Sequence, residues 1–171
     1  MVRLVADTSA LVSLGTVSGS DPNPLSLCLN YYDVFIPAEV ITELQEIASY
    51  DDQHGQAATT VLDHTGELTV RPVDLDAEFP LDDGENAAIT LANEIDATLF
   101  LCDEFNRLGL IHASLVDTRL VTTPTLLSVF VRTEQLKPDK ARTLLEHISL
   151  ARSWNENSYV QRARSLPELR R

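Results

Sequence analysis

The sequence predicts an α/β fold, an open and mostly parallel sheet of about five strands flanked by helices. Three observations carry this. Short apolar runs alternate with longer stretches whose apolar residues repeat at helical spacing, and strands alternating with helices read as a parallel sheet. Two of the runs, Val2–Ala6 and Thr98–Cys102, stop on an acid, Asp7 and Asp103 respectively. Two further acids, Glu43 and Glu85, lie on helical stretches that follow other strand-like segments. In an open parallel sheet the strand C-termini and the helices they feed line one crevice, where ligands bind.

Taken in order, Val2–Ala6 reads as the first strand and Thr8–Leu14 as a helix with Thr8 or Ser9 near its cap. Residues 15–24 are rich in Gly, Ser, Asp, Asn and Pro and read as a loop, followed by a short helix over Pro24–Asn30. Val34–Ile36 is the second strand. Pro37 opens a helix to about Ser49, with Val40, Leu44, Ile47 and Ala48 on one face and Glu39, Glu43 and Glu46 forming an acidic stripe. Gln56–His64 reads as helix with Gly66 as its stop, Leu68–Val73 as the third strand and 74–83 as an acidic loop. Gly84–Ile95 is helical, with Ala88, Leu91, Ala92 and Ile95 at helical spacing and Asp82 or Asp83 as cap. Thr98–Cys102 is the fourth strand, Phe105–Ser114 a helix and Leu120–Thr122 a short fifth strand. Pro124–Glu134 and Pro138–Arg152 are two more helices, with a further one in the tail from about Asn155.

The length of 171 residues suits one domain with a sizeable core, its helical C-terminal part covering about 124–171. No apolar run is long enough to span a membrane and no secretory signal opens the chain, so a cytoplasmic location without a membrane partner is expected. Cys28 and Cys102 have no CxxC spacing, and Cys102 reads as a small apolar residue in a buried strand. His54, His64, His112 and His147 form no ligand spacing, which argues against zinc. The net charge is −13, with 11 Arg and only Lys137 and Lys140 as lysines, a balance that suggests a high-salt, halophilic cytoplasm. The charge is asymmetric. Residues 1–104 carry 20 acids and 2 basic side chains, whereas 105–171 carry 6 acids and 11 basic ones. Either an anionic partner meets the C-terminal part, or its arginines offset acids across the surface.

Several acids facing one another repel strongly, and such a cluster persists by holding a proton or a cation. A divalent metal site is therefore expected. Magnesium takes oxygen ligands and keeps several waters, so a few carboxylates suffice. A bland reading stands beside each acid. Asp7 and Asp103 could cap the helices after their strands, Glu43 could belong to the solvated stripe, and Glu85 could complement the positive end of its helix. Thr8 and Ser9 could position a metal-bound water or cap a helix. Asp82, Asp83 and Glu104 read as supporting or surface acids. Arg107, Arg119 and Arg132 could reach phosphates or pair with surface acids. An aspartyl-nucleophile phosphatase would want a second Asp where Ser9 stands. A phospho-receiver would want a lysine on the last strand, and Lys137 and Lys140 lie beyond it.

The chain resembles the PIN domain family of metal-dependent nucleases in four places. Val5-Ala6-Asp7-Thr8-Ser9-Ala10-Leu11 resembles the family's opening strand and first acid. Ile36 to Leu44 is similar to the P-x-x-V-x-x-E-L helix with its second acid, Glu43. Gly84 to Ala92 resembles the GE-x-x-A-I-x-L-A helix of one branch, and Leu99 to Glu104 resembles its L-L-x-D-D strand end. The order and spacing match over roughly 1–130. Glu104 stands where a second Asp is usual, Phe105–Leu108 lacks the Ala-Arg pair, and Thr122–Leu126 departs from the family's glycine-containing turn. The resemblance implies a PIN-like, Rossmann-like sheet and a ribonuclease using Mg²⁺ or Mn²⁺, with Asp7, Glu43, Glu85 and Asp103 as catalytic metal ligands. It also implies RNA as substrate and, since many relatives are VapC-type toxins of toxin–antitoxin pairs, an antitoxin protein and a homodimer as partners. The competing expectation is a catalytically silent PIN-like module that binds RNA or a protein.

Overall fold

The computed structural model describes residues 1–75 and 82–170. Most of the expected acidic loop, residues 76–81, lies outside them. The elements in chain order are β1 (Val2–Ala6), α1 (Thr8–Gly15), α2 (Pro24–Tyr31), β2 (Tyr32–Pro37), α3 (Ala38–Ala48), α4 (Gln53–Asp63), β3 (Thr69–Arg71), α5 (Asp83–Glu94), β4 (Leu99–Leu101), α6 (Leu108–Ser114), β5 (Arg119–Val121), α7 (Thr123–Arg132), α8 (Pro138–Arg152) and α9 (Ser158–Arg164). One five-stranded sheet runs in the order β3-β2-β1-β4-β5, and every pairing is parallel.

The period of two along each strand divides the interior into two cores. Leu4 and Ala6 of β1, Val34 and Ile36 of β2, and Leu101 of β4 face the larger core, which α1 to α4 and α7 to α9 cover. Val5, Phe35, Phe100 and Cys102 face the smaller one, packed under Ala88, Ile89, Leu91 and Ala92 of α5 and Ile111 of α6. Each fully buried Leu or Phe side chain contributes roughly 2 kcal/mol relative to exposure. The helix α1 is buried along its whole length.

The chain builds β1, β2 and β3 toward one edge, then crosses to build β4 and β5 toward the other. The strand order therefore reverses between β1 and β4, and the crevice of an open α/β sheet opens at such a point. The β1–β4 register sets Ala6 opposite Leu101, so Asp7 and Asp103 leave neighbouring strands side by side.

Two expected elements come out differently. The third strand pairs only over Thr69–Arg71 rather than Leu68–Val73. Phe105–Ser114 is not one helix. Phe105–Arg107 forms a 3-10 turn whose backbone bonds close on Asp103 and Glu104, and α6 begins at Leu108. That break lets Phe105 stack on Tyr159, with centroids 5.8 Å apart, and meet Trp154 edge-on at 5.0 Å. Among the described residues no helix is long and apolar enough to cross a membrane.

Candidate active site at the strand-order reversal

Asp7 is the residue before α1, only 2% exposed. Its side chain makes no cap hydrogen bond, which removes the capping alternative. Its Oδ2 accepts from Ser9 Oγ at 2.9 Å and from Cys102 Sγ at 3.6 Å. Its Oδ1 is buried and has no hydrogen-bond partner. Burial pushes the Asp7 carboxyl up to about 6, with the Ser9 bond opposing and Glu104 and Asp82 adding repulsion.

Glu43 leaves the solvated stripe of α3 and leans into the cleft. It does so because α5 presents Gly84 there, and a Cβ at Gly84 would overlap Glu43 Oε1. Burial raises Glu43 to about 7, and Asp7, Asp82 and Glu85 add repulsion. Glu85, in the first turn of α5, is buried. Its Oε2 accepts from Arg107 Nη1 at 2.9 Å. Burial lifts Glu85 to about 7 although the Arg107 bond pulls it down.

Asp103 is buried at the end of β4, with both oxygens engaged by the start of α7. Thr123 donates its backbone N–H to Oδ1 at 2.7 Å and its hydroxyl to Oδ2 at 2.6 Å. Burial holds the Asp103 carboxyl above the usual range against these bonds. Ser9 joins the two strand ends, since its hydroxyl donates to Asp7 and accepts the Asp103 backbone N–H at 3.0 Å. Ser9 is therefore a bridge between the acids. Asp7, Glu43 and Glu85 repel one another across a shared cleft, and Asp103 stands one hydrogen-bond step away through Ser9.

Three further residues bear on this cleft: Asp82 and Glu104, which read as supporting or surface acids in the sequence, and Arg152, to which the sequence does not point. Asp82 caps α5, accepting the Glu85 N–H at 2.9 Å, and its charge bears on Asp7, Glu43 and Glu85. Glu104 bears on Asp7. Arg152 arrives from the far end of α8, donates to the Ser9 carbonyl at 3.4 Å and bears on Asp103 and Glu104, while its own burial lowers its pKa. The capping position of Asp82 is legible from its spacing before Glu85. Nothing local announces Arg152, whose partners are distant in sequence. Of the three arginines expected near phosphate, Arg107 sits on Glu85 and reaches Asp82 at 3.6 Å. Arg132 pairs with Glu168 at 3.6 Å, and Arg119 is exposed on β5.

Among the described residues no three His, Cys, Asp or Glu side chains close into a metal-binding group. A magnesium ion, however, is usually held by one or two carboxylates, its waters and substrate phosphates. The orphaned Asp7 Oδ1 beside the protonation-prone Glu43 fits that kind of ion.

The chain is thus an open parallel α/β sheet with an acid-lined cleft at its strand-order reversal. The DUF3368 family of PIN domains matches residues 3–168, and the chain belongs to that family. PIN domains commonly include nucleases and typically use divalent metals. A PilT N-terminus domain protein from the hyperthermophilic archaeon Sulfolobus solfataricus P2 has a similar structure, with a TM-score of 0.50 and 17% sequence identity. The likeness covers 74% of this chain and 92% of that one and extends to the fold alone. No protein of curated function matches.

Proposed function

We propose that the chain is a metal-dependent endoribonuclease that hydrolyses RNA phosphodiester bonds, with Asp7, Glu43, Glu85 and Asp103 as its metal-binding acids. The observation that supports this most is the buried, unpartnered Asp7 Oδ1 amid carboxyls held near neutrality. A bound Mg²⁺ or Mn²⁺ would supply an activated water and neutralise charge on the phosphoryl oxygens. The chain's own residues do the positioning. Ser9 fixes Asp7, Gly84 leaves room for Glu43, and Thr123 locks Asp103. Arg107 holds Glu85 and stands where it can turn to a substrate phosphate. As its biological setting we propose the toxin of a cytoplasmic toxin–antitoxin pair, with an antitoxin partner and a homodimer.

One observation favours the silent-module reading. Asp103 and Glu85 are already bonded to Thr123 and Arg107. Cleavage of labelled structured and single-stranded RNAs, with Mn²⁺ and with chelator, separates the two. The nuclease reading expects cleavage that requires the metal and vanishes in Asp7→Asn. Metal-dependent RNA binding without cleavage of any RNA favours the silent module.

A further inference from the structure

Beside the acid cleft runs a groove of about 520 Å³ between α6, β5, α7 and α9. Its buried lining includes Leu108 and Ala163, and its exposed members include Tyr159, Arg162, His112 and Gly109. In a chain of 26 acids, no Asp or Glu among the described residues lines it. Arg162 lies over the Tyr159 ring at 5.6 Å and makes no ion pair among the described residues, unlike Arg132, Arg142 and Arg164. Tyr159 also stacks with Phe105.

The groove is joined to the cleft at three points along the chain. Leu108 follows Arg107, which holds Glu85. Thr122 lines the groove and precedes Thr123, which holds Asp103. Phe105 follows Glu104 and stacks on Tyr159. A strand of nucleic acid leaving the acids past Arg107 therefore meets an acid-free groove carrying a planar cation on an aromatic ring.

We propose that this groove is a nucleotide subsite, in which an unpaired base of single-stranded RNA beside the scissile phosphate stacks on the Arg162–Tyr159 pair. Bases stack on aromatic rings and on guanidinium planes irrespective of sequence, which suits an apolar groove with few hydrogen-bonding groups. Continuity with the acids supports RNA over an acidic peptide or a second copy of this chain, because Leu108 and Thr122 of the groove directly adjoin Arg107 and Thr123, which hold Glu85 and Asp103. The net negative charge of the chain repels a phosphate backbone, so the phosphates flanking such a base find their counter-charge at Arg162. The inference rests on the nuclease reading for its substrate but not for its binding.

The test uses the full chain and a fluorescein-labelled hexamer of oligouridine in chelator, read by anisotropy. Gly109→Glu is the informative variant, because a Cβ at Gly109 meets nothing within 4 Å and the fold is left undisturbed. Gly109→Glu and Arg162→Gln should each weaken binding about tenfold, the scale of one lost stacking platform, and Gly109→Lys should not weaken it. The single tryptophan, Trp154, touches Phe105 edge-on, so its fluorescence should change on binding in the parent and much less in Tyr159→Ala. Equal affinity of all variants, binding of an acidic peptide in preference to the hexamer, or self-association abolished by Gly109→Glu would each overturn the subsite. Metal-dependent cleavage with an unchanged KM in Gly109→Glu would overturn it while leaving the nuclease reading intact. Groove-dependent binding without any cleavage would uphold the subsite and overturn the nuclease.

Discussion

Asp7 and Asp103 are alike in sequence, each an acid ending an apolar run, yet their side chains meet opposite fates. One oxygen of Asp7 is orphaned, whereas both of Asp103 are bonded to Thr123. Asp103 therefore ties β4 to α7 as well as standing beside the cleft. Thr123→Val removes the hydroxyl bond to a buried carboxylate oxygen, and such bonds to charged groups contribute roughly 2 kcal/mol. Urea unfolding of that variant should show a loss of this order. The neutral-leaning acids give a second expectation at this scale. Between their ordinary value of 4.5 and about 7, the folded protein retains protons on Glu43 and Glu85 that the unfolded chain has released. Folding is then linked to proton uptake, so stability falls as pH climbs through this window and the loss is complete above it. Asp7, lifted to about 6 from 3.8, adds to the same trend over its own range. In chelator, the urea midpoint should be higher near pH 5 than near pH 8.

At the scale of elements, the site depends on how closely α5 approaches α3. Gly84 sits where any side chain would strike the Glu43 carboxyl. Gly84→Ala should leave stability nearly unchanged, because the end of a flexible side chain can swing away and alanine favours the helix by about 1 kcal/mol. RNA cleavage should nonetheless drop sharply as Glu43 leaves the cleft. An unfolding curve and a cleavage rate on the same variant check this pairing. The elements themselves were largely legible, because strand runs and helical spacing are local signals. Val2–Ala6 appears with its expected bounds, and the helices from α3 to α8 lie within a few residues of expectation apart from the broken Phe105–Ser114 stretch. That stretch breaks because Phe105 turns to a ring 54 positions later, a tertiary contact with no periodic trace. The clustering of Asp7, Glu43 and Glu85 was legible from strand ends and sheet geometry. The claim of Arg107 on Glu85 was not, since it depends on where the 3-10 turn crosses α5.

At the scale of the molecule, charge and chemistry pull against each other. The chain carries −13 overall, concentrated in its first 104 residues, around a cleft that must receive a polyanion if it cleaves RNA. Salt screens such self-repulsion, so the melting temperature should rise from low to molar KCl, and a flat or falling melt would count against a halophilic surface. Within the cleft, neutralisation has to come from protons, from Arg107 and Arg152 or from a metal. Metal binding is the central expectation, and calorimetry of Mn²⁺ binding near pH 6.5 in buffers of differing ionisation enthalpy tests it most directly. Saturable binding should release about one proton to the buffer, as a carboxyl held near neutrality is deprotonated to take the ion, and should be lost in Asp7→Asn. Absence of binding, or binding that persists unchanged in Asp7→Asn, would contradict it.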